Sequence, residues 1–131
     1  MKKFAFNKLI RDKIPEQAEK TGCTLHIKPL SDTEYNTALI NKLCEEVDEV
    51  KSATGKKDLT QEIADVYEVM DAFCALHDIH HADIQQCKQE KLSSKGGFYH
   101  RTYVTVAEYP PHSAGETYCL NNPDKYPEIK D

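Results

Sequence analysis

Five acidic side chains in the middle of the chain have the types and spacing of a cation site. Residues three apart on a helix lie on one side of it, which places Glu46 beside Glu49 and Glu62 beside Asp65. Glu45 precedes the first pair and projects further towards solvent. Mg²⁺ binds carboxylate oxygens and leaves coordination positions for water and phosphate. The pattern therefore indicates a magnesium site, and salt-bridged acids on a helix surface are the alternative.

Glu62 is the most informative of these acids. It projects into the apolar sector of its helix, which is formed by Ile63, Val66, Val69, Met70 and Phe73. A carboxylate in an apolar stripe is costly unless a cation or a proton neutralises it. This position strengthens the case for a cation site, and the alternative of surface acids stays open.

Charge is unevenly distributed along the chain, whose net charge is −5. Residues 45–71 hold nine acids against three lysines, whereas residues 1–30 hold seven basic residues against three acids and residues 88–101 hold four against one. An acidic centre between basic flanks suits a site that holds a divalent cation and a polyphosphate together. The overall surplus of acid argues against a general nucleic-acid-binding protein.

Length and composition favour a single soluble domain without a membrane partner. The chain has 131 residues, and none of its apolar runs approaches the ~20 residues of a membrane span. The start turns polar within Met1–Lys8, before a secretory signal could form. Five cysteines without a Cys-x-x-Cys spacing are typical of a reducing compartment. We therefore expect a cytoplasmic protein.

Capping and helix-breaking residues predict four helices. They are a short helix with Pro15 in its first turn that Gly22 ends, a long one from the Ser31–Glu34 capping box to Gly55, one from Asp58 to about His77, and one from about Ala82 to Leu92. Residues 23–29 and 98–106 alternate in polarity, which predicts two paired strands. Beyond Glu108, four prolines predict an irregular tail. The fold class expected is mainly α, with a minor two-stranded β element.

The acidic motifs resemble a known family. Glu45-Glu46-Val47-Asp48-Glu49 followed by Glu62-Ile63-Ala64-Asp65 is similar to the Glu-Glu-x-x-Glu … Glu-x-x-Asp signature of the MazG-like, all-α nucleoside triphosphate pyrophosphohydrolases. The block from Asn7 to Pro15 and Lys95-Gly96-Gly97-Phe98 look like the phosphoribosyl-ATP-pyrophosphohydrolase-like, house-cleaning subgroup. The likeness covers about residues 5–106. It implies a MazG-like domain over residues 1–107 and an irregular extension over residues 108–131.

The resemblance also implies a role for each acidic and basic position. Glu46, Glu49, Glu62 and Asp65 would be the ligands of Mg²⁺, for which Mn²⁺ is a substitute. Glu45 would be an outer acid or the base that orients the attacking water. The phosphates of the substrate would be met by Lys8, Arg11, Lys13, Lys91, Lys95 and Arg101.

The function expected from this resemblance is Mg²⁺-dependent cleavage of a nucleoside triphosphate between its α and β phosphates, in the house-cleaning of non-standard nucleotides. The alternatives are a phosphoribosyl-ATP pyrophosphohydrolase of histidine synthesis and a non-catalytic helical module that binds metal or nucleotide. Three substantial helices form a thin wall for such a site. We therefore expect a homodimer or homotetramer in which helices of several subunits complete the bundle.

Overall fold

The fold is mainly α-helical, as the sequence predicts. The computed structural model describes all 131 residues and contains five helices and no β-strand. The helices are α1 (Ile14–Lys20), α2 (Asp32–Ser52), α3 (Gly55–Leu76), α4 (His81–Lys95) and α5 (Ala114–Leu120). None of them combines the length and the apolar character needed to cross a bilayer.

Local caps define the first two helices. Pro15 lies in the first turn of α1, where a missing N–H costs nothing, and Gly22 follows the helix with a φ of 78° that glycine adopts without strain. At α2 the Ser31 hydroxyl accepts from the N–H of Glu34, and the Glu34 carboxylate accepts from the N–H of Ser31. This reciprocal pair is the predicted capping box.

The junction between α2 and α3 is shorter than predicted. α2 ends at Ser52 and α3 already begins at Gly55, three residues before the expected start. Asp58 explains the difference, because its carboxylate reaches back and accepts from the N–H of Thr54 at 3.0 Å. With two residues between them, α2 and α3 pack against each other as neighbours in a helical hairpin.

The chain divides into two compact units, Met1–Glu90 and Lys91–Asp131. The first unit contains α1, the α2–α3 hairpin and most of α4. The second contains the last turn of α4 and α5. The domain division after residue 107 stays a prediction.

Two expectations about irregular and extended segments need correction. Residues 23–29 and 98–106 form no strand, because alternation favours an extended chain but supplies no neighbour for its N–H and C=O groups. The tail is not irregular throughout, since α5 lies within it. The Ser113 hydroxyl accepts from the N–H of Glu116 at 3.3 Å, so a Ser-x-x-Glu cap starts this helix despite the surrounding prolines.

Apolar burial within the chain is slight. Leu39 on α2 is the one buried apolar side chain. Ile63 and Met70, expected on the core side of α3, are 38% and 39% exposed. The α2–α3 contact covers Val66 and Val69 only in part, because two helices alone enclose little volume.

Candidate functional site

Three of the predicted metal ligands lie together. Glu46 of α2 and Glu62 and Asp65 of α3 each offer a carboxylate oxygen, and these oxygens all lie within 4.8 Å of one another. We call these three residues the acidic cluster. The short junction of the hairpin brings them together, since it places the last turns of α2 opposite the first turns of α3. Glu46 is buried, with 9% of its surface exposed.

The other two predicted acids lie beside this cluster. Glu49 is exposed on α2, one turn beyond Glu46, and is not among the three converging carboxylates. Glu45 is half-buried, and its Oε1 receives two lysines, Lys8 at 3.0 Å and Lys42 at 3.3 Å. The hairpin therefore brings three of the five acids to one point, and lysines from α2 and from the N-terminal residues hold Glu45 in ion pairs.

Burial and neighbouring charges shift the pKa values of Glu62 and Glu45 in opposite directions. Partial burial, followed by the charges of Asp65 and Glu49, raises the pKa of Glu62 above 4.5. The hydrogen bond from Lys8 lowers the pKa of Glu45 below 4.5, against the effect of its own burial. The same contact raises the pKa of Lys8 above 10.5. The pKa of Glu62 is thus raised, and no cation of the chain lies within ion-pair distance of this carboxylate.

Two cations near the N-terminus contact acidic side chains, although the resemblance implies that they contact phosphate. Lys8 Nζ is 3.0 Å from Glu45, and Arg11 Nη2 is 2.6 Å from Asp65 Oδ1. Lys13 lies in the turn before α1, exposed, without a side-chain hydrogen bond. We call residues 7–13 the N-terminal segment, and two of its three cations are counterions of the site.

Lys42 was missed at the sequence level. Its ammonium lies 3.3 Å from Glu45 and 3.4 Å from Glu46, and its side chain is only 18% exposed. The signal was available, since a lysine three and four residues before two glutamates on one helix lies on their side. Lys42 lies between the basic flank of residues 1–30 and the acidic centre of residues 45–71, so the charge pattern along the chain does not single it out.

The remaining predicted phosphate ligands belong to the second unit. Lys91 and Lys95 lie in the last turns of α4, and Arg101 lies in the following coil with a φ of 59°. All three are exposed. Their part in a phosphate site stays a prediction.

One of the histidines near the junction of α3 and α4, His77, has a structural role. His77 ends α3, shares a 2.6 Å hydrogen bond with the Asn36 amide oxygen and lies 4.5 Å from the Phe73 ring. This contact joins the end of α3 to the start of α2. The segment is a loop between two helices, as its sequence predicts.

The acidic cluster has the chemistry of a hard-cation site. Its donors are carboxylate oxygens alone, the set that Mg²⁺ and Mn²⁺ prefer over the imidazole and thiolate ligands of softer metals. Converging carboxylates repel one another, and a divalent cation at their meeting point would remove that repulsion. Glu46, Glu62 and Asp65 are therefore the residues that could hold a hard divalent ion.

Comparison with known proteins gives a match over about a third of the chain. No family model matches the chain. No solved structure matches it at a significant level. A protein of Mycolicibacterium smegmatis described as uncharacterized is 51% identical over 45 residues, which make up 34% of this chain and 46% of that protein. The chain thus spans less than half the length of this relative, and no family is shown by these matches.

Proposed function

We propose that this protein is a MazG-like, Mg²⁺-dependent nucleoside triphosphate pyrophosphohydrolase that cleaves between the α and β phosphates. The observation that carries the proposal is the convergence of Glu46, Glu62 and Asp65, from two helices, onto one point. The acidic motifs that resemble the family predict this meeting of residues far apart in sequence. House-cleaning of non-standard nucleotides is the role that the resemblance favours.

The residues present fit a divalent cation. Burial deprives Glu46 and, in part, Glu62 of water that would otherwise solvate their charges. The pKa of Glu62 is raised by this burial first and by the charges of Asp65 and Glu49 second. When bound, Mg²⁺ would neutralise charge on the phosphates and lower the pKa of a water. Glu46, Glu62 and Asp65 would hold it, and Glu49 would be the fourth ligand that the resemblance implies.

Glu45 is better suited to orienting the attacking water than to accepting a proton from it. Two lysines share its Oε1, and its pKa is lowered, so the carboxylate is a weak base at neutral pH. Its second oxygen is free of these contacts and can accept a hydrogen bond from water. We therefore assign Glu45 the role of an outer acid that positions the attacking water.

We further propose a homodimer in which helices of two copies complete the bundle. Four apolar side chains of α3 form one exposed stripe at helical spacing, Leu59, Ile63, Tyr67 and Met70. With Leu39 as the one buried apolar side chain, the hairpin needs another apolar surface to become stable. A second copy supplies a stripe of the same chemistry. A tetramer would need a second such face on each copy.

The test is pyrophosphate release with Mg²⁺ over standard, deoxy and damaged nucleoside triphosphates and phosphoribosyl-ATP. Glu46→Gln and Glu62→Gln are expected to reduce release by at least about a hundredfold, since each removes a charge from the ligand set. Glu68→Gln is the matched control, because it makes the same chemical change on α3 at an exposed position.

The outcomes separate the candidate functions. The hydrolase is supported if both cluster variants abolish pyrophosphate release and the control variant retains it. A preference for phosphoribosyl-ATP would assign the enzyme to histidine synthesis. Absence of release from folded protein that binds Mg²⁺ and nucleotide would leave the non-catalytic binding module.

A further inference from the structure

The N-terminal segment connects both helices of the hairpin through two cations. Lys8 donates to Glu45 on α2, 37 residues along the chain, and Arg11 donates to Asp65 on α3, 54 residues along the chain. Asn7 starts the segment in a left-handed conformation with a φ of 48°, which asparagine tolerates. The segment therefore lies over the acidic side of the hairpin.

The cations around the acids differ in how firmly they are held. Lys42 projects from α2 itself and its side chain is 18% exposed, so it stays beside Glu45 and Glu46 as long as the helix exists. The side chain of Arg11 is 60% exposed and lies on a segment without helical structure. Exposed ion pairs of this kind are weak and exchange readily. Arg11 is thus the counterion that a competitor can remove.

We propose that the N-terminal segment is a displaceable strap, in which Arg11 neutralises Asp65 until a divalent cation takes its place. This inference rests on the proposed metal site. A divalent ion at the meeting point of the carboxylates adds positive charge next to the guanidinium, and the two cations repel each other. Arg11 then leaves Asp65 and becomes available to an anionic ligand such as a triphosphate. The strap couples loading of the site to release of a phosphate-binding side chain.

Metal affinity tests the competition directly. Mg²⁺ and Mn²⁺ binding without nucleotide is measured by titration calorimetry for the unaltered protein, Arg11→Gln and Lys3→Gln. Arg11→Gln is expected to bind either ion roughly two- to fivefold more tightly, the fold-change that corresponds to loss of one exposed ion pair. Lys3→Gln removes the same charge near the same end of the chain, at an exposed side chain without a hydrogen bond or ion pair. Its affinity is expected to match that of the unaltered protein, because salt screens a distant surface charge.

The result separates the strap from the site on which it rests. Equal affinities of the unaltered protein and Arg11→Gln would overturn the strap and leave the metal site standing. A gain of the same size in Lys3→Gln would also overturn it, since the effect would then be general electrostatics. Absence of binding in all three proteins would overturn the metal site and the strap together.

Arginine labelling tests displacement in the unaltered protein. The chain contains two arginines, Arg11 and Arg101, so a dicarbonyl reagent and peptide mass mapping report on both in one sample. Mg²⁺ is expected to speed modification of Arg11 about twofold or more, as its ion pair is released, with Arg101 as the internal reference. An unchanged rate for Arg11 at a Mg²⁺ concentration that saturates the site would overturn the proposal.

Discussion

Glu62 is surrounded by negative charge and has no cation of the chain as a partner. Its raised pKa reflects partial burial and the charges of Asp65, Glu49, Asp58 and Glu46. Replacing it with glutamine removes repulsion in the metal-free protein and, on the proposal above, a ligand in the loaded one. The two effects on the stability of the fold have opposite signs, so a substitution at Glu62 tests whether this carboxylate binds metal.

We predict that Glu62→Gln melts at a higher temperature than the unaltered protein in chelator and gains less from Mg²⁺. At a Mg²⁺ concentration a hundredfold above the dissociation constant, binding would stabilise the unaltered protein by about 2.7 kcal/mol. The variant should keep less than half of that gain in a thermal melt. Glu68→Gln should behave as the unaltered protein, and an equal Mg²⁺ response in all three would contradict the prediction.

The pKa of Glu45 is shifted in the direction opposite to that of Glu62, so Glu45 makes the stability of the fold depend on pH with the opposite sign. Because its pKa is lower in the folded protein than the ordinary 4.5, its ionised form stabilises the fold above that pH, and this contribution is lost as the pH falls through the lowered pKa. Glu45→Gln should therefore be less stable than the unaltered protein at pH 7, by about 0.5 kcal/mol for a partly exposed ion pair. Melting temperatures from pH 7 to pH 3 should converge. A difference that stays constant over this range would exclude the ion pairs as its cause.

At the scale of elements, the start of α2 depends on one reciprocal cap. Ser31→Ala removes the hydroxyl that accepts from the Glu34 N–H and should destabilise the protein by about 1 kcal/mol. Ser52→Ala, at the exposed end of the same helix, is the matched control and should change stability little. Urea unfolding of both variants measures the difference. Equal midpoints would mean that α2 does not need its cap.

Signals within a few residues were enough to predict most helices. Pro15 and Gly22 delimited α1, and Ser31 with Glu34 started α2, because a cap is a local hydrogen bond that the sequence states directly. Strands were overpredicted because their partners are not local. The start of α3 was misplaced because the sequence pattern places Asp58 at the beginning of the helix, whereas its carboxylate accepts from the N–H of Thr54, four residues earlier.

The sequence predicts the acidic residues of the candidate site but not the contacts that its cations make. Helical spacing paired Glu62 with Asp65, and a short junction was enough to bring Glu46 opposite them. The contacts of Lys8 with Glu45 and of Arg11 with Asp65 join residues distant in sequence, and no spacing rule indicates them. Lys8 and Arg11 were expected to contact phosphate, and their partners in the structure are carboxylates.

At the scale of the whole molecule, the exposed stripe of α3 should mediate self-association. Tyr67 is 69% exposed within that stripe. Tyr67→Asp would place a charge in the apolar interface at a cost of about 3 kcal/mol, which weakens association about a hundredfold. Asn41→Asp adds the same charge at an exposed position of α2 and should leave the assembly intact. Sedimentation velocity checks both variants, and a monomeric unaltered protein at high concentration would contradict the dimer.

The two-residue junction between α2 and α3 also bears on how quickly the molecule folds. Pairing the two helices closes a short loop, so its entropic cost is low and the hairpin is expected to form early. The three carboxylates then meet before the N-terminal segment arrives with Arg11. Repulsion among the three carboxylates should slow the pairing of α2 with α3. Refolding should therefore accelerate as ionic strength rises, because dissolved salt screens carboxylate charges that Arg11 has not yet paired.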